Sequence, residues 1–253
     1  MSYTFLSTAY DALMSHVDYE KWADYIKTNI EQYKPDTKLV LDLACGTGTL
    51  TNMLEYEMIG IDGSIEMLDE ARKKAKAQEK EILFLNQDMR EFELYGTVDV
   101  ILCTCDGLNY ILEEDELSEV FRLVENYLDP HGLFIFDINT PYKYEEILGE
   151  NSFSQTEETH ALIWDNYFDE EEQINEYAIS IFSRGADGRY DKSEEFHYQR
   201  AYSIEAIKNL LQKNHLELIK ITDDYTQNEP SPTSQRLTFM AKEMGRKTKE
   251  TAH

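Results

Sequence analysis

Residues 38–49 read Lys-Leu-Val-Leu-Asp-Leu-Ala-Cys-Gly-Thr-Gly-Thr, and no other stretch constrains the fold as tightly. Lys38 to Leu43 is a short apolar run of the kind found in strands covered on both faces. It stops at a turn too rich in Gly and Thr to extend a strand. Leu50, Met53 and Leu54 then fall on one side of a short helix. A second apolar run, Met58 to Ile61, ends at Asp62, and Ser64 stands where it can cap a helix carrying Ile65, Leu68, Ala71 and Ala75. A strand that turns over glycines into a helix, followed at once by another buried strand, predicts a parallel crossover unit.

The alternation continues with expected strands over Ile82 to Asn86 and Val98 to Cys103. A helix through Leu117, Val120, Phe121, Val124 and Leu128 is expected to close at Asp129-Pro130-His131-Gly132, and Leu133 to Ile138 is a further apolar strand. After Pro141 the texture changes. Glu, aromatic and β-branched residues dominate from Ser152 to Tyr202, and turn signals at Phe168-Asp169-Glu170 and Gly185-Ala186-Asp187-Gly188 divide three expected antiparallel strands near 159–168, 173–184 and 189–201. Helical spacing resumes behind Ser203 with Ala206, Ile207, Leu210 and Leu211. Two last strands, about 216–223 and 235–242, flank a proline-containing loop.

Charge narrows the possible partners. The 253 residues include 50 acidic and 24 basic side chains, a formal net charge of −26. A nucleic-acid partner would need Lys and Arg along at least one face to displace counterions, so this balance argues against one and favours a small-molecule substrate. Two basic clusters exist. Arg72-Lys73-Lys74 has the spacing of a solvated helix face, and Arg246-Lys247 falls at a frayed end. No run approaches the roughly 18 apolar residues of a membrane span, and the start of the chain lacks a signal-peptide pattern. Cys45, Cys103 and Cys105 make no disulfide framework, so a cytoplasmic location is expected. Cys103 lies inside an apolar strand with no second ligand pair nearby, and no metal site is expected. The expected state is monomer or homodimer.

The Gly46-Thr47-Gly48 turn lets a ligand approach the backbone where no Cβ stands in the way. Asp62, twenty residues beyond Asp42, sits at the end of the next strand, where a carboxylate can accept both hydroxyls of a ribose. A dinucleotide fingerprint would place Gly or Ala where Thr51 stands, and the pattern fails there.

Leu41-Asp42-Leu43-Ala44-Cys45-Gly46-Thr47-Gly48 closely resembles the first motif of class I S-adenosylmethionine-dependent methyltransferases. Ile59 to Leu68 resembles their second motif and Asn86-Gln87-Asp88-Met89 their third. Ala44 departs from the family's usual Gly. Tyr10-Asp11 and Cys105-Asp106-Gly107-Leu108-Asn109-Tyr110 are further similar to a bacterial subgroup with small substrates. The resemblance implies S-adenosyl-L-methionine as cofactor. It implies that Asp42 meets the methionyl amino group, that Ala44, Gly46 and Gly48 form the loop around the methionine portion, and that Asp62 holds the ribose. Gly63 and Met67 would pack around ribose and adenine, and Asp88 and Met89 would border the adenine. Cys105 and Asp106 would approach the methionine end, and Tyr10 would come from an N-terminal helix covering the cofactor.

Together these readings predict an α/β chain: a Rossmann-like doubly wound sheet, mostly parallel with one antiparallel strand near the C-terminus, plus a small inserted antiparallel sheet. Residues 1–150 and 203–243 are expected to form the cofactor-binding domain, 151–202 a lid or substrate subdomain, and 244–253 a disordered tail. On the acceptor side Asn109, Asn139, Trp164 and Arg200 are substrate candidates, and Asp106, His197 and Tyr142 are candidates for proton transfer. An RNA or protein methyltransferase of the same fold, or a non-catalytic cofactor-binding protein, are the alternatives.

Overall fold

Strand β1 (Leu39–Leu43) lies in the middle of a seven-stranded sheet, flanked in parallel by β2 (Glu57–Asp62) and β4 (Val98–Cys103). The computed structural model describes residues 10–11, 14–185 and 187–245. β3 (Leu83–Asn86) extends the sheet beyond β2, and β5 (Leu128–Asn139) extends it beyond β4, both in parallel. The full order is β10-β11-β5-β4-β1-β2-β3, with β11 (Arg236–Glu243) antiparallel to both β5 and β10 (Leu216–Asp223). This is the expected mostly parallel sheet with one antiparallel strand. Winding reverses between β1 and β4, and that reversal opens a crevice at the strands' carboxyl ends.

The period-two alternation of the strands sorts their side chains onto two cores. Leu41, Leu43, Ile101, Phe134 and Phe136 pack with helices α4 (Glu114–Tyr127) and α5 (Ile204–Lys213). Val40, Val100, Leu102 and Ile135 pack instead with α1 (Tyr19–Tyr33) and α2 (Thr49–Met53). Phe136 stacks on Phe239 at 5.0 Å, tying β5 to the antiparallel strand. Helix α3 (Ile65–Ala77) covers Phe84 of β3 with Leu68, Ala71 and Ala75. The hydroxyls of Ser64 and Ser203 accept from the Met67 and Ala206 amides and cap α3 and α5 as expected.

Two elements depart from the sequence reading. The helix through Phe121 ends at Tyr127, and Leu128 already pairs with Val98, so the strand begins before Pro130 instead of after the turn. The residue before a proline is driven toward extended backbone, and the register shift between Val98 and Val100 absorbs the irregular stretch. Helix α1 was not anticipated, although Trp22, Ala23, Ile26 and Ile30 form its buried stripe and the Asp18 side chain caps it.

The second sheet is fully antiparallel in the order β6-β7-β8-β9. β7 (His160–Asp169), β8 (Ile174–Arg184) and β9 (Tyr190–Arg200) are the three expected strands. A fourth, β6 (Ser152–Thr156), was missed because its alternation is short and mostly polar. Phe153, stacked on Trp164 at 5.0 Å, holds it. Of the expected tail and the basic pair at 246–247, residues 246–253 lie outside the described residues. No helix among the described residues is long and apolar enough to cross a membrane.

Candidate active site

A cavity of about 930 Å³ opens at the carboxyl ends of β1, β2 and β4 and runs beneath the second sheet. Its floor starts at Asp42, which is buried and accepts the Thr51 hydroxyl at 2.5 Å on Oδ2. Oδ1 of the same carboxylate is buried and has no hydrogen-bond partner. Burial pushes the Asp42 carboxyl up to about 7, with the Thr51 bond pulling weakly the other way. Thr51, the residue that breaks the dinucleotide pattern, therefore has a job of its own in orienting this acid.

Beyond Asp42 the backbone coils through left-handed conformations at Ala44 (φ 60°), Gly46 (φ 54°) and Gly48 (φ 68°). A Cβ added at Gly46 or Gly63 would meet nothing within 4 Å, so both main chains border open space. Gly48 serves a different purpose. A Cβ there would come within 2.9 Å of the Ala71 Cβ, so this glycine allows α2 and α3 to approach, and it does not line the cavity. Asp62 accepts the Gly46 amide on Oδ2 and the Ser64 amide on Oδ1, both at 2.8 Å, which fixes its carboxylate toward the glycine loop. Burial raises its pKa while those two amides oppose the shift.

Met67 and Met89 line the same compartment. Asp88 also lines it, but Arg90 grips both its oxygens at 2.6 and 2.9 Å and holds its pKa below the usual carboxylate range. Tyr10 lines the cavity with its hydroxyl 3.7 Å from the Cys105 sulfur, and it packs against Leu162 and Ile181 of the second sheet. Its neighbour Asp11 accepts the Thr47 hydroxyl at 2.7 Å and pairs with Lys74 at 2.6 Å. Lys74, read from sequence as part of a solvated face, instead ties the N-terminal segment to the glycine loop.

At the far end, Cys105 and Asp106 take consecutive left-handed conformations (φ 59° and 52°), a strained arrangement that sharply turns the chain after β4. Burial, reinforced by Asp106, pushes the Cys105 thiol upward, which leaves it a poor nucleophile. Asp106 receives Arg236 at 2.6 Å and the Gln199 amide at 2.7 Å. Arg236 also binds Asp137, whose other oxygen takes the Tyr225 hydroxyl at 2.8 Å. Burial is the largest single influence on Arg236 and works against its charge, but Asp106 and the other groups around it together hold the guanidinium pKa above its usual value. Gln199 in turn accepts Tyr144 and Tyr177 at 2.9 and 3.0 Å.

Of the acceptor-side candidates, Asn139, Trp164 and His197 line the cavity. Asn109 does not. It is buried and ties Asn139 and the Arg200 carbonyl together through its amide. The Arg200 guanidinium is spent on the Leu112 carbonyl at 2.8 Å, and Tyr142 lies outside the lining. Sequence reasoning missed Arg236, Asp137 and Gln199. A charged Asp137 inside the apolar run Leu133 to Ile138 was a legible signal. Arg236, ninety-nine residues away, left no such mark.

A parallel sheet with a strand-order reversal, a glycine turn and carboxylates at the ends of β1 and β2 defines an α/β enzyme that binds a nucleoside-bearing cofactor. A methyltransferase domain model matches residues 40–132. A relative from Geobacillus sp. (strain WCH70), named as a methyltransferase, is 35% identical over 246 residues, 96% of this chain and 100% of its own. The crystal structure of an S-adenosylmethionine-dependent methyltransferase from Clostridium acetobutylicum ATCC 824 superposes with a TM-score of 0.86 at 32% identity, covering 95% of this chain and 98% of that one. The chain belongs to the S-adenosylmethionine-dependent methyltransferases. An S-adenosylmethionine-bound amino pentose methyltransferase from Micromonospora echinaspora shares the fold at 16% identity and a TM-score of 0.74, over 93% and 96% of the two chains. The site fits the cofactor on its own terms: the unpartnered Asp42 oxygen suits an ammonium, and Gly46 and Gly63 leave room beside the Asp62 carboxylate.

Proposed function

We propose that this methyltransferase transfers its methyl group to a small-molecule acceptor held between the carboxyl end of β4 and the second sheet. Bound S-adenosylmethionine supplies an activated methyl on a sulfonium, so the protein's contribution is alignment and exclusion of water. In this reading Asp42 takes the cofactor's amino group on Oδ1, with Ala44 and Gly46 bordering its methionine portion. Asp62 takes the ribose hydroxyls while keeping its bonds to Gly46 and Ser64. Gly63, Met67 and Met89 enclose the adenine, and Asp88 offers an oxygen shared with Arg90. Cys105 and Asp106 face the reacting end, and Tyr10 closes over it. Residues 151–202 act as the lid, with Trp164 and Asn139 facing the acceptor.

The observation that carries this reading is the buried Asp42 oxygen with no partner, since leaving such a group unsatisfied is costly unless a ligand meets it. The cavity, about 930 Å³, has room for a nucleoside and a small acceptor together. The amino pentose enzyme acts on a small molecule, which supports the same class here. The three described cysteines are unpaired, in keeping with a cytoplasmic setting.

Isothermal titration with S-adenosylhomocysteine is expected to show binding in the micromolar range. Asp62→Ala should weaken it by about 30-fold or more, the loss of hydrogen bonds to a charged group. A folded protein that does not bind the ligand overturns the reading. Extract incubated with labelled S-adenosylmethionine should pass label to a small metabolite. Label on RNA or protein would replace the acceptor class, and no transfer at all would indicate a binding protein.

A further inference from the structure

We infer that His197 and Glu195 form a catalytic proton-accepting pair and that the acceptor reaches the site as a protonated amine. The inference rests on the methyltransferase reading above. The two side chains follow each other on the inward face of β9, with His197 Nε2 3.3 Å from Glu195 Oε2. Both are buried, at 2% and 7% exposure, so the carboxylate faces the imidazole with little screening. Two residues further along the same face, Gln199 donates to Asp106, which places this row of side chains against the carboxyl end of β4. The Tyr110 ring, just after Asp106 in the chain, stands edge-on to His197 at 6.0 Å. His197 thus sits on the acceptor side of the cavity and not beside the ribose.

The pair has a direction. With Nε2–H donating to Glu195, the carboxylate fixes the tautomer of the ring and leaves Nδ1 as the nitrogen that can accept a proton. A base is needed only by acceptors that arrive protonated. Carboxylates and low-pKa thiols arrive ionised. An aliphatic hydroxyl is a far weaker acid than imidazolium, whereas an ammonium, with a pKa of about 10.4 in lysine, lies within about four units of imidazole; a phenol comes as near, and the position of the label separates the two. Trp164 and Tyr177 also line the cavity, and aromatic rings suit a cation.

The step balances. An acceptor R–NH3⁺ gives one proton to Nδ1 and becomes R–NH2. Its nitrogen lone pair forms the new N–C bond while the cofactor's S–CH3 bond breaks with its electron pair left on sulfur. The products are R–NH2–CH3⁺ and S-adenosylhomocysteine, and the proton on His197 leaves to water.

The probe is sinefungin, which carries an ammonium where S-adenosylmethionine carries its methyl, compared with S-adenosylhomocysteine by calorimetry. Wild type is expected to bind sinefungin about tenfold more tightly than S-adenosylhomocysteine, and His197→Gln should bring the two within about twofold. Glu195→Gln, which keeps the shape of the pair, should lose part of the preference. S-adenosylhomocysteine affinity reports that each variant is folded. Equal affinities in wild type, or a preference unchanged in both variants, overturns the inference. So does label found on oxygen, sulfur or carbon of the methylated metabolite, while label on nitrogen supports it. Failure of wild type to bind either ligand counts against the methyltransferase site itself and not against the pair.

Discussion

Asp42 and Arg236 show how single side chains tune this site. Asp42 has a folded-state pKa of about 7 because burial disfavours its charge, against about 3.9 in the unfolded chain. The folded protein therefore binds more protons between those values, and its ligand-free stability falls as pH rises from about 4 through 7, by about 4 kcal/mol in all. An ammonium against Oδ1 needs the ionised acid, so the sign for binding is opposite. S-adenosylhomocysteine affinity should increase up to about tenfold per unit as pH rises from 6 toward 7, with proton release seen as a buffer-dependent binding enthalpy. Asp42→Asn should flatten the profile. Arg236 holds two carboxylates, one of them fully buried. Arg236→Met leaves both uncompensated and should cost about 3–5 kcal/mol in urea unfolding. Adding Asp137→Asn should recover part of that loss.

At the level of elements, Lys74 of α3 ties Asp11 in the N-terminal segment to the glycine loop. Lys74 pairs with Asp11 and also donates to Thr47 and Thr49 at 2.9 and 2.7 Å. The pair is partly exposed, at 25% and 47%, so its contribution is about 1 kcal/mol or less. Lys74→Met should leave global unfolding nearly unchanged. Because Tyr10 beside Asp11 lines the cavity, the same change should speed S-adenosylhomocysteine release several-fold in stopped-flow fluorescence, about the factor that such an energy sets. Release rates equal to wild type would show that this turn is not a barrier to exit. The strands were the legible elements, since apolar runs of four to six residues bounded by Gly and Asp have few alternative readings. β6 was not legible because its alternation is short and polar and Phe153 on Trp164 holds it, whereas α1 carried a stripe and a cap that the reading passed over, its Trp22 stacking on the distant Tyr225 at 4.3 Å.

For the molecule as a whole, ligand binding and folding share one equilibrium. At S-adenosylhomocysteine about 100 times its dissociation constant, the folded state gains about 2.7 kcal/mol. For a chain of this size that predicts a rise in Tm of about 5–10 °C by calorimetry. Asp62→Ala should show little of it at the same ligand concentration. The net charge of −26 acts on this scale too, favouring cationic small molecules over polyanions without determining the fold.

By itself the sequence determined the buried parallel strands, the glycine turn and the carboxylates at Asp42 and Asp62, because local patterning and spacing carry those features within about sixty residues. Only the tertiary structure decided that Gly48 serves helix packing, that Asn109 and Arg200 are spent on main-chain carbonyls, and that Arg236, Asp137, Asp106 and Gln199 meet at one end of the cavity. Those residues come from β11, β5, the turn after β4 and β9. A contact among elements so far apart along the chain has no period or spacing to announce it, since it exists only once the order of the first sheet and the placing of the second have brought their ends together.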